Sequence, residues 1–180
     1  MKRKDAVEKI TRRRDPIGET ETRWEQECSR EENSEMKLLV SACLMGVNCK
    51  YNGGNNKKEA VCSFAEKAEG RCICPEVLGG LPTPRVPAEI RGEQVVNRAG
   101  EDVTRQFLLG AERSLAIAEA FGPDLVILQP RSPSCGVHSR YDGSFTGTLV
   151  PGPGVTAALL LKNGFPVIDS EDLEAGRTGV

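Results

Sequence analysis

The sequence predicts a single α/β domain with a three-layer arrangement around a mostly parallel sheet, preceded by a charged N-terminal extension. From Met36 onward, short apolar runs alternate with segments whose apolar residues recur every three or four positions. Glycine-containing stops follow each of the helical segments. A chain of 180 residues is long enough for one such domain with a substantial core.

The first half of this domain supplies two strands and one helix. Residues 38–40 are a continuous apolar run of the kind found in buried parallel strands. Residues 55–68 have apolar side chains at helical spacing, with Gly70 as the stop, and residues 71–74 form the second short strand. Residues 75–87 hold four prolines and two glycines, which predicts a structured loop that is neither strand nor helix.

The second half repeats the alternation twice. Residues 102–121 form the longest predicted helix, and Gly122-Pro123 ends it before the apolar strand 125–128. A helix over 154–162 and a strand over 166–168 follow. The glycine-rich turn 142–147 between these units is compatible with either a lid or a hairpin. Strands that alternate with helices in this way form parallel sheets with right-handed crossovers.

The N-terminal extension, residues 1–35, has a different composition. It contains nine Lys or Arg and ten Asp or Glu residues with few apolar residues between them. Such a segment buries too little apolar surface to offset its ordering entropy, so we expect it to be disordered or loosely helical. The predicted domains are therefore the extension, 1–35, and the α/β body, 36–180.

Charge and hydropathy exclude several classes of protein. A formal net charge of −2 offers no basic field for duplex nucleic acid, although a single base or nucleotide remains allowed. No run approaches the length of a transmembrane span, and no apolar region of a signal peptide follows the basic start. We therefore expect a cytoplasmic protein that does not associate with membranes.

The cysteines carry the functional information. Seven cysteines without a secretion signal are typical of thiols, metal ligands or catalytic groups rather than of a disulfide framework. Cys43, Cys74 and Cys135 each lie at or shortly after the end of a predicted strand. Because the carboxyl ends of parallel strands border the ligand crevice, we expect these three thiols to converge there.

Three converging thiols are compatible with zinc, with an iron–sulfur cluster or with a reactive disulfide. No C-x-x-C pair is present, which disfavours zinc ribbons and thioredoxin-like sites. His138, the only histidine, could complete a zinc site with the three cysteines. A four-iron cluster held by three cysteines would instead leave one iron open as a Lewis acid.

Four motifs in order give this chain a family resemblance. They are Ser-Ala-Cys-Leu at 41–44 followed by Lys-Tyr-Asn-Gly-Gly at 50–54, Cys-Pro-Glu at 74–76, Gly-Gly-Leu at 79–81 with Pro84-Arg85, and Ser-Pro-Ser-Cys-Gly at 132–136. The series resembles that of the thiouracil desulfidase family and covers roughly residues 36–169. The resemblance implies a Rossmann-like domain with a catalytic [4Fe–4S] cluster, which hydrolyses the C=S bond of a thiolated pyrimidine to the oxo-base and sulfide without net redox change.

The resemblance also implies roles for individual residues. The cluster ligands would be Cys43, Cys74 and Cys135, supplied with iron and sulfide by the cell's cluster-assembly machinery. Glu76 would be the acid/base, Ser132 would relay protons or orient the ring, and Ser134 would either assist or simply hold the loop. The expected partner is a small thiolated base or a similar thio-compound.

Several residues leave the interpretation open. Family members often have aspartate where this chain has Asn52, which either affects catalysis or simply forms a tight turn before Gly53. Cys49 is a candidate for sulfur storage or relay. Two rival functions follow from these uncertainties: a non-catalytic iron–sulfur or zinc protein, and a sulfur carrier that forms a persulfide on a cysteine.

A further set of residues has structural explanations that compete with functional ones. Cys62 and Cys72 are expected to be small core residues. Arg85 and Arg131 flank the proposed loops, where each could bind substrate or form a structural ion pair.

Overall fold

A four-stranded parallel sheet in the order β2-β1-β5-β8 forms the centre of the computed structural model, which describes residues 36–178. The eight strands are β1 Lys37–Ser41, β2 Glu69–Ile73, β3 Ala88–Arg91, β4 Gln94–Asn97, β5 Leu125–Leu128, β6 Ser139–Tyr141, β7 Leu149–Pro151 and β8 Val167–Asp169. The α-helices are α1 Glu59–Ala65, α2 Pro75–Leu78, α3 Thr104–Phe121, α4 Val155–Lys162 and α5 Ser170–Glu174. A 3₁₀ turn, Ala42–Met45, follows β1.

Strand alternation divides the core between the two faces of the sheet. One face packs against α3 and α4 and includes Leu39, Ile73, Val126, Leu128, Ala118, Ala157 and Leu160. The other packs against α1 and α5 and includes Leu38, Val40, Leu125, Ile127, Val61 and, partly buried, Leu173. Because successive strand residues point to opposite faces, an all-apolar strand such as β5 must be covered on both sides. The predicted three-layer, mostly parallel α/β fold is confirmed.

The predicted elements are all present, with shifted ends in most of them. The strand at Leu125–Leu128 matches its prediction, whereas the first helix is shorter than the predicted 55–68. The prediction that 75–87 contains no helix is wrong, because Pro75 begins the one-turn helix α2. Proline is compatible with the first helical position, where its missing N–H would have no partner within the helix.

Two antiparallel hairpins were not predicted as strands. The β3–β4 hairpin follows the proline-rich segment, and the β6–β7 hairpin encloses the glycine-rich turn 142–147. Of the two alternatives for that turn, the hairpin is confirmed. Both pairs are short and lie outside the main sheet, so they lack the long apolar runs that reveal a buried strand.

A close contact between α2 and α3 fixes the segment that follows Cys74. A Cβ on Gly110 would lie 1.9 Å from the Pro75 carbonyl oxygen, and a Cβ on Gly79 would lie 2.0 Å from the Gln106 carbonyl oxygen. Only glycine allows the two backbones to approach this closely. The contact therefore sets the position of α2, and with it Cys74 and Glu76, against the longest helix.

The N-terminal extension, with the prediction made for it, lies outside the described residues. Within residues 36–178, no helix is long and apolar enough to cross a membrane.

Candidate active site

A cavity of about 470 Å³ lies at the carboxyl ends of β1, β2 and β5. Four cysteines line it: Cys43, Cys49, Cys74 and Cys135. Cys43 lies in the 3₁₀ turn after β1, Cys74 caps the start of α2 after β2, and Cys135 lies in the loop after β5. The predicted convergence of three thiols is therefore what the structure shows, with Cys49 added as a fourth. All four are free thiols.

Cys49 lies between two of the predicted ligands. The Cys74 Sγ atom is 3.8 Å from the Cys49 carbonyl oxygen, and Cys49 is only 7% exposed. A hydrogen bond with the Cys43 thiol raises the pKa of Cys49 to about 12. A hydrogen bond with Cys49, together with burial, raises the pKa of Cys74 far above the ordinary thiol value. Without a metal, the Cys49 and Cys74 thiols are protonated at neutral pH.

Cys135 is held by the turn that precedes it. The Ser132 hydroxyl oxygen accepts hydrogen bonds from the backbone N–H groups of Ser134 and Cys135, both at 3.1 Å. Burial raises the pKa of Cys135 to about 12, although a hydrogen bond with the Ser41 hydroxyl acts in the opposite direction. Because the Ser132 oxygen accepts two bonds, its own proton remains a donor for the cavity that Ser132 lines.

Ser134 is placed differently from Ser132. It is 1% exposed, does not line the cavity, and its hydroxyl has no partner among the described residues. Its carbonyl oxygen accepts hydrogen bonds from Thr156 and Ala157 at the start of α4. Of its two predicted roles, this geometry supports holding the loop.

Glu76 lines the cavity and pairs with Arg85. The Arg85 Nε atom is 2.6 Å from Glu76 Oε2, and the two side chains are 6% and 16% exposed, respectively. A second guanidinium nitrogen donates to the Cys49 carbonyl oxygen at 3.0 Å. Arg85 therefore forms the structural ion pair that was one of its two predicted roles, and it links the carboxylate to the thiol cluster.

The cavity wall is richer in cations than in carboxylates. Lys50, Arg85, Arg98 and Arg131 line it, against Glu76 and Glu89. Arg131 also forms an ion pair with Glu171 in α5. This excess of positive charge around a partly apolar wall suits a small polar or anionic ring compound.

The remaining candidate residues lie elsewhere. The His138 Nε2 atom forms a hydrogen bond with Asp172 Oδ2 at 2.6 Å, and His138 does not line the cavity. The structure therefore does not bring it to the three cysteines. Asn52 accepts a hydrogen bond from the Gly54 N–H, which is the tight turn that its position before glycine predicts. Cys62 is half-buried in α1, and Cys72 is buried beside Cys49.

Glu89 and Phe145 line the cavity but could not be identified from the sequence. Both belong to the two short hairpins outside the main sheet: Glu89 lies in β3, and Phe145 lies in the turn between β6 and β7. A charged residue in a short strand is ordinarily exposed, and no spacing rule marks this phenylalanine. The Pro-Ala-Glu sequence after the proline-rich loop was the only available signal, and it has no general chemical meaning.

Comparisons with known proteins agree with this geometry. A family model for 2-thiouracil desulfurase matches residues 38–172. The chain is 42% identical over 146 residues to the uncharacterized protein YbbK of Bacillus subtilis (strain 168), covering 76% of this chain and 97% of that protein. A solved structure of the [4Fe-4S]-dependent thiouracil desulfidase TudS superposes with a TM-score of 0.73 at 40% identity, covering 78% of this chain and 95% of that one.

The fold, the thiol-lined cavity and these matches define the protein as an enzyme of the iron–sulfur desulfidase class. The chain belongs to the 2-thiouracil desulfurase family, whose model spans every residue that lines the cavity. The resemblance stated from the four motifs is thereby confirmed.

Proposed function

We propose that this protein hydrolyses the C=S bond of a thiouracil-type pyrimidine, giving the oxo-base and sulfide with no net redox change. The observation that carries the proposal is the convergence of four free thiols with the Glu76 carboxylate in a single cavity. Water supplies the oxygen and two protons, the carbon–sulfur bond breaks, and sulfur leaves as sulfide.

The donor set fits a [4Fe–4S] cluster, the cofactor of the related TudS. Cys43, Cys74 and Cys135 follow the ends of three neighbouring strands, and all three line the same cavity. Soft thiolate ligands favour iron–sulfur clusters, and three of them leave one iron without a protein ligand. When bound, the cluster would supply a Lewis acid that polarises the thione.

The residues around the thiols perform the proton transfers. Glu76 takes a proton from the attacking water and returns it to the departing sulfur, which is the work of a general acid/base. Arg85 holds the Glu76 carboxylate in one orientation through their 2.6 Å ion pair. Ser132 donates its remaining proton to a ring atom of the substrate and so orients the ring.

The substrate class follows from the family and from the cavity. The related TudS is a thiouracil desulfidase. A small thiolated base would enter the cation-rich cavity directly, and cluster-assembly machinery would supply iron and sulfide beforehand. The cytoplasm, where thiols are kept reduced, is the compartment that this chemistry requires.

One alternative is a sulfur carrier that forms a persulfide on Cys49 by taking a sulfur atom from a persulfide donor, and it arises from the position of the buried Cys49 among the other thiols. The pKa of Cys49 opposes this alternative, because the thiolate is the nucleophile in such chemistry and a pKa raised to about 12 leaves the thiol protonated at neutral pH. A non-catalytic iron–sulfur protein is the second alternative. It predicts that Glu76 has no effect on any rate.

One experiment separates these functions. The cluster is reconstituted anaerobically in wild type, Glu76→Gln and Cys49→Ala, and the variant Glu93→Gln, at an exposed position, is the matched control. The iron content of each protein and its rate of sulfide release from 2-thiouracil are measured. We expect about four irons in each protein. We also expect the rate to fall about 100-fold or more in Glu76→Gln alone.

Other results would identify the alternatives. Sulfur transfer from a persulfide donor to wild type but not to Cys49→Ala, with no sulfide released from 2-thiouracil, would establish the persulfide carrier. Full iron content without sulfide release from wild type would leave a non-catalytic cluster protein.

A further inference from the structure

Two residues of the described chain have a backbone conformation that side chains ordinarily avoid. Among residues 36–178, the non-glycine residues with positive φ are Arg131, at +60°, and Phe145, at +59°. Both line the cavity. Such conformations persist only where surrounding contacts impose them, and they concentrate at ligand-binding sites. The position of Phe145 in the wall therefore calls for a functional explanation.

The contacts that impose this conformation come from β3. Glu89 is 8% exposed, and its Oε2 atom accepts hydrogen bonds from the backbone N–H groups of Gly143 and Phe145, each at 3.0 Å. Arg91 donates twice to the Gly143 carbonyl oxygen, at 3.0 and 2.6 Å. A buried carboxylate that accepts two backbone N–H groups is a strong local restraint. The β3 strand thus fastens the 142–147 turn in one shape.

The phenylalanine ring occupies a defined place in that shape. The Arg98 guanidinium lies 5.6 Å from the centroid of the Phe145 ring, and both residues line the cavity. A cation at this distance is attracted by the ring face and helps to fix the ring plane. A restrained aromatic ring in the wall of a cavity is suited to stacking against a planar heterocycle.

We propose that Phe145 is a substrate-binding residue whose ring stacks on the pyrimidine, and that Glu89 is the positioning residue that holds it there. This inference rests on the proposed function for the choice of a pyrimidine, and it adds the surface that binds the ring. The carboxylate of Glu89 does not contact the substrate in this arrangement. It acts through the two N–H groups of the turn.

The proposal predicts an effect on substrate binding rather than on the chemical step. Stacking is present in the bound substrate before any bond breaks, so its loss raises KM and leaves kcat nearly unchanged. Replacing an aromatic residue that stacks on a base weakens binding about tenfold. The expected change is therefore an increase of about tenfold in KM.

The test uses the cluster-loaded protein with 2-thiouracil as substrate and, separately, uracil as a ligand measured by titration calorimetry. Phe145→Asn removes the ring while keeping a residue that tolerates positive φ, and Phe145→Tyr keeps a ring. Leu149→Asn, at an exposed position of the same hairpin outside the cavity lining, is the matched control. We expect KM and the uracil Kd to rise about tenfold in Phe145→Asn but not in Phe145→Tyr or Leu149→Asn.

Two further variants test the role of Glu89. Glu89→Ala removes both hydrogen bonds to the turn, whereas the amide oxygen of Glu89→Gln can still accept them. We expect the KM increase in Glu89→Ala and its rescue in Glu89→Gln. A purely structural role would instead lower the melting temperature without this split between KM and kcat.

The outcomes separate this inference from the proposed function. Wild-type protein that binds uracil without releasing sulfide from 2-thiouracil, with weaker binding in Phe145→Asn, would remove the proposed reaction and support the stacking role. Unchanged KM and Kd in Phe145→Asn would overturn the stacking role. Failure of wild type to bind uracil would overturn it as well.

Discussion

Gly110→Ala tests the contact between α2 and α3 that positions Cys74 and Glu76. The added Cβ would lie 1.9 Å from the Pro75 carbonyl oxygen, so one backbone must withdraw by about 1.5 Å to reach the 3.4 Å of an ordinary contact. Forcing an extra carbon into a packed site costs about 1–3 kcal/mol. Alanine recovers about 1 kcal/mol through its helix propensity. The expected net loss is about 0–2 kcal/mol of unfolding free energy.

The larger effect should be on catalysis. A displacement of about 1 Å at a catalytic group can cost about 100-fold in rate, and Glu76 directly follows the residue that would be pushed. The assay combines thermal unfolding with sulfide release from 2-thiouracil by the cluster-loaded protein. Gly70→Ala is the control, because a Cβ at Gly70 meets nothing within 4 Å. Wild-type stability and rate in Gly110→Ala would refute the idea that this contact positions Glu76.

Two further predictions concern Asp172 and Asn52. Burial opposes ionisation of Asp172, but hydrogen bonds from His138 and Arg177 prevail and lower its pKa. The stabilisation that this carboxylate provides is therefore present above about pH 4, and it is lost as pH falls through the folded-state pKa. Urea titrations should show a smaller loss of stability between pH 5 and about pH 2 in Asp172→Asn than in wild type; parallel pH profiles would contradict this. Asn52→Ala removes the hydrogen bond to Gly54 and should cost about 1 kcal/mol with kcat/KM unchanged, whereas a large fall in kcat/KM would give Asn52 a catalytic role.

The central sheet was predictable because its two inner strands, β1 and β5, are buried on both faces. A run such as Leu125–Leu128 is apolar at every position, and it needs no knowledge of its neighbours to be recognised. The β3–β4 and β6–β7 hairpins contain strands of three or four residues, and mixed polar sequences in strands this short carry no usable period. The start of α2 at Pro75 was missed because proline was taken as a helix breaker, although it is accepted at the first position.

The candidate site also has one part that local sequence patterns predict and one part that they do not. The thiols Cys43, Cys74 and Cys135 were predictable because each follows a recognisable strand, and topology alone then brings them to one edge. The partner of Glu76 was not predictable, since Arg85 reaches it through a loop whose path depends on the whole 75–87 segment. Glu89 and Phe145 depend on the docking of one hairpin against another, which no local pattern encodes.

The pairing of β1 with β5 imposes an order on the events of synthesis and folding. Cys43 emerges from the ribosome near the start of the body, but Cys135 reaches its side only after β5 has paired with β1, when most of the chain has been made. With the ligand set proposed above, cofactor insertion must wait for a nearly complete nascent chain. Until then the newly made protein carries unliganded, reduced cysteine thiols. The yield of cluster-loaded protein should therefore depend on how soon iron reaches these thiols relative to oxygen.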